Sequence, residues 1–295
     1  MAALTRQTAY WFSVVLYTIL LAGVLLYLRF PAEKFRLFVQ NVVEDRLPET
    51  SCSIGGIGVS WPPALEFREL RLAGTQGKGD VVFVDPRLTV APVWSSLSSA
   101  VAITSAAYSG NHRLLVGLSD DDSNVDLRSI EIKALNLAEV ESLGRKLDRR
   151  ITGLLDAQGT AAIAREGFGL LRLEADVAIS DGEMALKRPI LELDTLMLET
   201  GSASVTVNGQ AITIAEGKIE NQSLSAAFAG LVTLAESLLA GTVNLEGSIT
   251  PRPALFQQNR QLKVIVNRMQ KRYGSDLLPF EVGGTVGRPT FVFEK

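Results

Sequence analysis

The chain has 295 residues, a net charge of −3 and 21% charged residues, a length that suits one elongated domain or two ordinary ones. Basic residues are scattered among acidic ones, which excludes a basic surface for nucleic acid. Cys52 and His112 are the only cysteine and the only histidine, which excludes a disulfide framework, a cysteine-based zinc site and a multi-histidine metal site, and the sequence indicates no cofactor.

The first predicted element is a membrane-spanning helix over residues 9–28, preceded by a cytoplasmic N-terminus over residues 1–8. The stretch carries no charge, and at about 1.5 Å of rise per residue it covers about 30 Å, the hydrocarbon thickness of a bilayer. Aromatic side chains near both ends fit an interfacial belt. The alternative, a cleaved signal peptide, would have a shorter apolar core and a small-x-small cleavage site. The residues assigned to the anchor are Tyr10, Trp11, Leu16, Leu20, Leu25 and Tyr27.

Residues 29–48 are predicted to form an amphipathic helix that leaves the membrane and ends before Pro48. Its apolar residues recur every three or four positions. They either rest on lipid headgroups or pack against the first strands of the following domain. The apolar residues are Phe35, Phe38, Val39, Val42, Val43 and Leu47.

From Cys52 onward the hydrophobic period changes to two, which predicts a β domain over residues 49–295. In residues 203–208, for example, odd positions are apolar and even positions polar. Many one-sided strands joined by Gly, Asn and Asp turns predict a long antiparallel meander. Separate strands are expected at 170–180 and 182–185, and again at 210–214 and 217–220. Helices are expected only at 137–147, capped by Asn136, and at 253–273.

Motifs that usually carry chemistry are weak in this chain. The acidic loop at 119–126 lacks the ligand order of an EF-hand, so we interpret it as a solvated hairpin tip. The glycines at 55–58 precede no helix and match no nucleotide loop, and residues 77–80 are typical of a hairpin turn. His112, between Asn111 and Arg113, is expected at the surface. The sequence therefore favours a protein without enzymatic activity.

An antiparallel meander must bury its apolar face by closing, by pairing with a second sheet, or by curling around an apolar ligand. Two helices are too few to cover it. These considerations favour an elongated, curled sheet with an apolar interior, and a fully packed interior is the alternative. Twelve to sixteen strands at about 4.8 Å each would form a groove of about 60–75 Å. The alternation nominates Val205, Val207, Phe228 and Leu245 as inward groove residues, although a one-residue slip would reverse them.

The C-terminal segment 278–293, LPFEVGGTVGRPTFVF, resembles the closing signature of the AsmA-like family. Segments 54–73, 151–163 and 238–249 and the N-terminal anchor agree with this resemblance. The order and length of essentially the whole chain are similar to the AsmA-like branch known as type II secretion system protein N. The shared motifs consist of turn glycines and apolar strands, so no catalytic residue is carried over.

This resemblance implies a single-pass protein of the Gram-negative inner membrane whose C-terminal domain lies in the periplasm. Its implied role is a non-enzymatic component of the type II secretion system in protein transport. The alternative is a lipid-binding or lipid-transfer protein related to AsmA-like bridge proteins. The implied partners are membrane lipids, other inner-membrane secretion subunits and further copies of the chain at the sheet edges. The charge count alone points to the opposite orientation, because Arg29, Lys34, Arg36 and Arg46 follow the anchor.

Overall fold

The computed structural model describes residues 11, 13–18, 21, 23–25, 29–47, 50–60, 64–74, 81–93, 100–117, 123–147, 149–165, 169–190, 193–235, 238–258 and 260–294. These residues form one large antiparallel sheet of fifteen strands with few helices. From β3 onward each strand pairs with the next strand in the chain, and β1 and β2 both pair with β3. The predicted mainly β, antiparallel meander is therefore confirmed.

The strands have the following bounds along the chain. They are β1 Thr50–Ser53, β2 Gly56–Ser60, β3 Ala64–Gly74, β4 Val81–Pro92, β5 Ala100–Ser105, β6 Asn111–Gly117, β7 Asn124–Asn136, β8 Ile151–Ala164, β9 Leu170–Ile190, β10 Leu193–Asn208, β11 Ala211–Glu220, β12 Leu224–Thr233, β13 Thr242–Pro251, β14 Leu278–Gly284 and β15 Pro289–Phe293. The helices are α1 Ala32–Arg46, α2 Glu141–Leu147, α3 Leu255–Gln258 and α4 Arg260–Tyr273, and 3-10 turns occur at Ala107–Ser109, Leu137–Glu139 and Leu238–Ala240.

Several strands are longer than predicted, because positions expected to be turns lie inside continuous ladders. Asp181 in β9 and Glu216 in β11 both adopt φ of 50°. The β11–β12 register shifts between Ile214 and Gly217, yet pairing continues on both sides. Such a bulge bends a strand without ending it. The predicted division of β9 at residue 181 and of β11 at residues 215–216 was therefore wrong.

The helices follow the predictions in place but differ in extent. Helix α1 occupies the predicted juxtamembrane segment. The segment predicted as one helix at 137–147 divides at Val140, whose φ of −85° and ψ of 73° are not helical. The Asn136 side chain does act as a cap, since it accepts a hydrogen bond from the Ala138 N–H at 3.1 Å. The predicted C-terminal helix likewise forms two pieces, α3 and α4.

Part of the predicted anchor and two predicted loops lie outside the described residues. Trp11, Leu16 and Leu25 belong to the described residues and are exposed, whereas Tyr10, Leu20 and Tyr27 do not. Residues 77–80 and the first half of the acidic loop, 119–122, are also outside, whereas residues 124–126 of this loop belong to strand β7 and not to a hairpin tip. Within the described residues, no helix has both the length and the apolar character that a bilayer crossing requires.

A first hydrophobic cluster, the N-terminal cluster, joins α1 to the first strands of the sheet. Its buried residues are Cys52, Ile54, Ile57 and Phe67, and α1 contributes Phe35, Val39 and Val43 to it. Of the two predicted environments for the apolar face of this helix, lipid headgroups or the first strands, these three residues occupy the second. Phe38 and Val42 do not, since the sequence placed them on the same face but they are 61% and 41% exposed.

A second hydrophobic cluster, the C-terminal cluster, joins α4 to the last strands. It contains the largest group of buried side chains among the described residues. Val266 of α4 and Leu278 of β14 are both completely buried within it. The buried members are Leu224, Ala226, Ile249, Leu255, Leu262, Val266, Leu278 and Phe280. Each end of the sheet thus carries one helix packed on its apolar side.

Candidate functional site

A continuous row of apolar residues crosses the sheet from β2 to β15, one residue per strand. Side chains directly opposite each other on neighbouring antiparallel strands lie on the same face of a sheet. The register therefore places on one face the residues Val59, Leu65, Val90, Ile103, Leu114, Ile130, Gly159, Ala175, Val205, Ile214, Gly230, Leu245, Val282 and Phe291. We call this set the apolar row.

A second row, parallel to the apolar row, is also free of polar side chains. It crosses from β4 to β13 through Pro92, Val101, Val116, Leu127, Ala161, Leu173, Val207, Ile212, Val232 and Val243. Since Val205 and Val207 are two residues apart on one strand, both rows occupy the same face. The two rows together make this face an apolar surface several strands wide.

The structure brings the four predicted groove residues to this one face. Val205 and Leu245 belong to the apolar row and Val207 to the second row. Phe228 lies on the same face as Gly230, but the Phe228 side chain packs against the C-terminal cluster. The Phe228 ring also lies against Gly217, where an added Cβ would be 2.6 Å from the ring. Three of the four predicted residues thus lie outside that cluster, and Phe228 lies at its margin.

Among the described residues, neither α1 nor α4 packs on the middle of the apolar row. Neither hydrophobic cluster includes the row from Ile103 to Ile214. These side chains are partly exposed, whereas those packed beneath α1 and α4 are buried. Sequence reasoning missed Ile103, Leu114 and Ile130, although alternation in β5–β7 was a signal that could have identified them.

Small residues occupy the centre of this face. Gly159 of β8 and Ala175 of β9 belong to the apolar row, and Ala161 belongs to the second row. Ala157 and Ala203 flank the apolar row on the other side through their pairing with Val177. These side chains extend little from the sheet, and at Gly159 an added Cβ would lie 2.2 Å from the Glu174 backbone oxygen, so the neighbouring strand lies close to this position.

The opposite face of the sheet has a different chemistry. A depression of about 840 Å³ lies there, and its lining includes Glu131, Asp156 and Asp176 together with Lys133 and Lys218. Both carboxylates and ammonium groups line it, and it is open to solvent. It therefore provides neither an apolar site nor a site of one charge sign.

His112 lies on the apolar side of the sheet, not at the surface as expected. It pairs with Ser105 and Ile132 in the ladder, and its side chain is partly buried. Its Nε2 lies 2.9 Å from the Ala107 carbonyl oxygen, and its buried Nδ1 has no hydrogen-bond partner among the described residues. His112 was expected at the surface because the sequence did not reveal the 3-10 turn at Ala107–Ser109. The imidazole packs against this turn.

Cys52, the single thiol, is buried in the N-terminal cluster. Burial raises the pKa of this thiol, and the nearby Glu44 carboxylate raises the pKa further. Glu44 Oε1 also accepts a hydrogen bond from the Cys52 backbone N–H at 3.1 Å. A buried thiol that stays protonated at neutral pH is a poor nucleophile, so Cys52 serves packing.

No family model, no curated protein and no solved structure matches the chain. The resemblance of residues 278–293 to the AsmA-like signature therefore stays a prediction. The apolar face is a wide uncharged surface that would exclude water from a bound ligand and contact the ligand through van der Waals interactions. Such a surface suits hydrocarbon, because a polar ligand would lose hydrogen bonds to water without gaining partners.

Proposed function

We propose that the uncovered apolar face binds the hydrocarbon chains of membrane lipids. The observation that carries the proposal is the apolar row, which runs across the sheet while its middle has no described cover. Apolar surface in water costs about 25 cal/mol per Å². Soluble domains rarely leave large contiguous apolar patches exposed, and such patches usually mark binding surfaces. The small residues at the centre of the face favour a slender ligand such as an acyl chain.

Curvature of the sheet supports this proposal. Arg149, just before β8, donates a hydrogen bond through Nη2 to the carbonyl oxygen of Val286, just after β14, at 3.3 Å. These strands are six positions apart, and at about 4.8 Å per strand a flat sheet would separate them by about 29 Å. Helix α2 also contacts the turn Leu238–Ala240. We infer that β8 to β14 curl back on themselves.

The direction of curling follows from exposure along single strands. Val177, on the apolar face, is partly buried, whereas its neighbours Asp176 and Ala178 on the other face are exposed. The same contrast separates Leu173 from Arg172 and Glu174. Curvature toward the apolar face crowds its side chains together and spreads those of the polar face. The sheet then forms an apolar groove that α1 and α4 cap at its two ends.

Site-specific photo-cross-linking tests the lipid proposal. A photoreactive amino acid placed at Val205 or Val177 is expected to capture phospholipid in cells labelled with radioactive phosphate. The matched control positions are Thr206 and Asp176, their immediate neighbours on the opposite face. We expect labelled lipid at the first pair and only background at the second. Equal capture on both faces, or none at Val205 and Val177, would contradict the proposal.

A second proposal is that the protein assembles with inner-membrane secretion subunits through its sheet edges. The observation that favours it is edge strand β15, which pairs with β14 alone in the described sheet. Val292 of β15 is 57% exposed. Exposed edge strands are templates for added strands. The same photoreactive amino acid placed at Val292 is expected to form a cross-link to a secretion subunit. Finding only uncross-linked chain would count against assembly at this edge.

A further inference from the structure

We propose that the outer face of α4 docks onto a bilayer surface rich in anionic phospholipid. This surface is separate from the apolar face, and the inference holds whether or not that face carries lipid. It concerns the C-terminal end of the sheet, far along the chain from the predicted N-terminal anchor.

The charge of α4 is one-sided in a chain that is acidic overall. The helix contains five basic residues and no acidic one, although the chain has a net charge of −3. The segment 247–275 has no acidic residue, and the first carboxylate after the helix is the exposed Asp276. None of the described ion pairs involves the basic side chains of α4. Those described as exposed are Lys263, Arg268, Lys271 and Arg272.

The outer face of α4 also carries aliphatic side chains. The inner face uses Leu262 and Val266, both buried, at a spacing of four residues. Val264 points to the opposite side, is 60% exposed, and lies in the same helical stripe as Arg268 and Lys271. Ile265 is also exposed. The outer face of α4 therefore carries exposed aliphatic side chains with basic side chains beside them.

A bilayer with anionic headgroups matches both features. Each Lys or Arg near such a surface contributes about 1 kcal/mol of attraction. Val264 and Ile265 can enter the boundary between headgroups and acyl chains, as in interfacial amphipathic helices. A nucleic acid would satisfy the cations but would give these two side chains no hydrocarbon. The combination of charge and exposed aliphatic surface therefore points to lipid.

Docking in this orientation has a consequence for the apolar row. The inner face of α4 packs on Leu278 and Phe280 of β14, within the C-terminal cluster. Val282, a member of the apolar row, also packs against this cluster. A bilayer held by the outer face of α4 would thus lie about one helix diameter, about 10 Å, from the end of the apolar row.

The test uses the full chain held in phosphatidylcholine nanodiscs by its N-terminal segment. These nanodiscs are mixed with separate vesicles of phosphatidylcholine, with or without phosphatidylglycerol, and capture of vesicles is measured. We expect capture only of the phosphatidylglycerol vesicles, with a loss of affinity as salt rises. The combined substitution Lys263→Glu, Arg268→Glu and Lys271→Glu is expected to weaken capture at least about tenfold, from about 1 kcal/mol per charge.

The matched control applies the same charge change elsewhere. Arg113→Glu, Lys133→Glu and Lys218→Glu alter exposed residues of the polar sheet face and should leave capture close to that of the unmodified chain. Val264→Ser with Ile265→Ser keeps the charge and is expected to weaken capture several-fold. Equal capture of both vesicle types, no loss on reversing the α4 charges, or an equal loss in the control would overturn the inference. Cooperative thermal unfolding of each variant shows that it is folded.

Discussion

Replacing Leu278 with alanine is expected to lower the free energy of unfolding by about 3–4 kcal/mol. Leu278 is completely buried in the C-terminal cluster, where it pairs with Ile249 across the sheet and lies beneath α4. Removing a buried leucine side chain costs its transfer free energy and leaves a cavity, for a total of about 2–5 kcal/mol. The middle of this range applies because Leu278 is completely buried and packs within the C-terminal cluster that α4 helps to form.

Denaturant unfolding of the full chain in mild detergent measures this effect. The control is Leu277→Ala, since Leu277 is the adjacent residue and is 49% exposed. It should change the free energy of unfolding by less than about 0.5 kcal/mol, as is usual at surface positions. Hydrogen exchange should also become faster in α4 of the Leu278→Ala variant. Similar stability losses in the two variants would show that the C-terminal cluster is not packed as described.

The sequence supported prediction of the sheet, and its alternation selected residues of β10 and β13 that share one face. Val205 and Leu245 lie in the same row because Ile214 and Gly230 connect them through direct pairs. Alternation is local, so it survives errors in strand length. It fails only where a bulge changes parity, as at Glu216, and a positive φ at a glutamate has no sequence signature.

Contacts between distant parts of the chain could not be predicted in this way. The Arg149–Val286 hydrogen bond joins residues separated by 137 positions, and local periodicity carries no information on such a pair. The two sides of α1 illustrate a related limit. Phe35 and Phe38 fit one broad apolar face in sequence, yet only Phe35 packs on the strands, because the contact follows the narrower stripe of Phe35, Val39 and Val43.

The largest functional loss is expected from charging the apolar row. Val205 and Ile214 are direct partners on β10 and β11. The combined substitution Val205→Asp and Ile214→Asp would place two carboxylates in the middle of the uncovered face. Because burying an ionised carboxylate under hydrocarbon without a partner costs several kcal/mol, we expect the lipid recovered per chain to fall at least about tenfold. Organic extraction followed by mass spectrometry measures this quantity.

The neighbouring cross-strand pair provides a strict control for this substitution. Thr206 and Thr213 are also direct partners on β10 and β11, on the polar face, and both are exposed. Thr206→Asp with Thr213→Asp therefore introduces the same charges and the same like-charge repulsion across the ladder. Lipid recovery should stay near that of the unmodified chain. If lipid recovery fell equally in both variants, the loss would be due to destabilised strands. If it fell in neither variant, lipid would not bind at the apolar row.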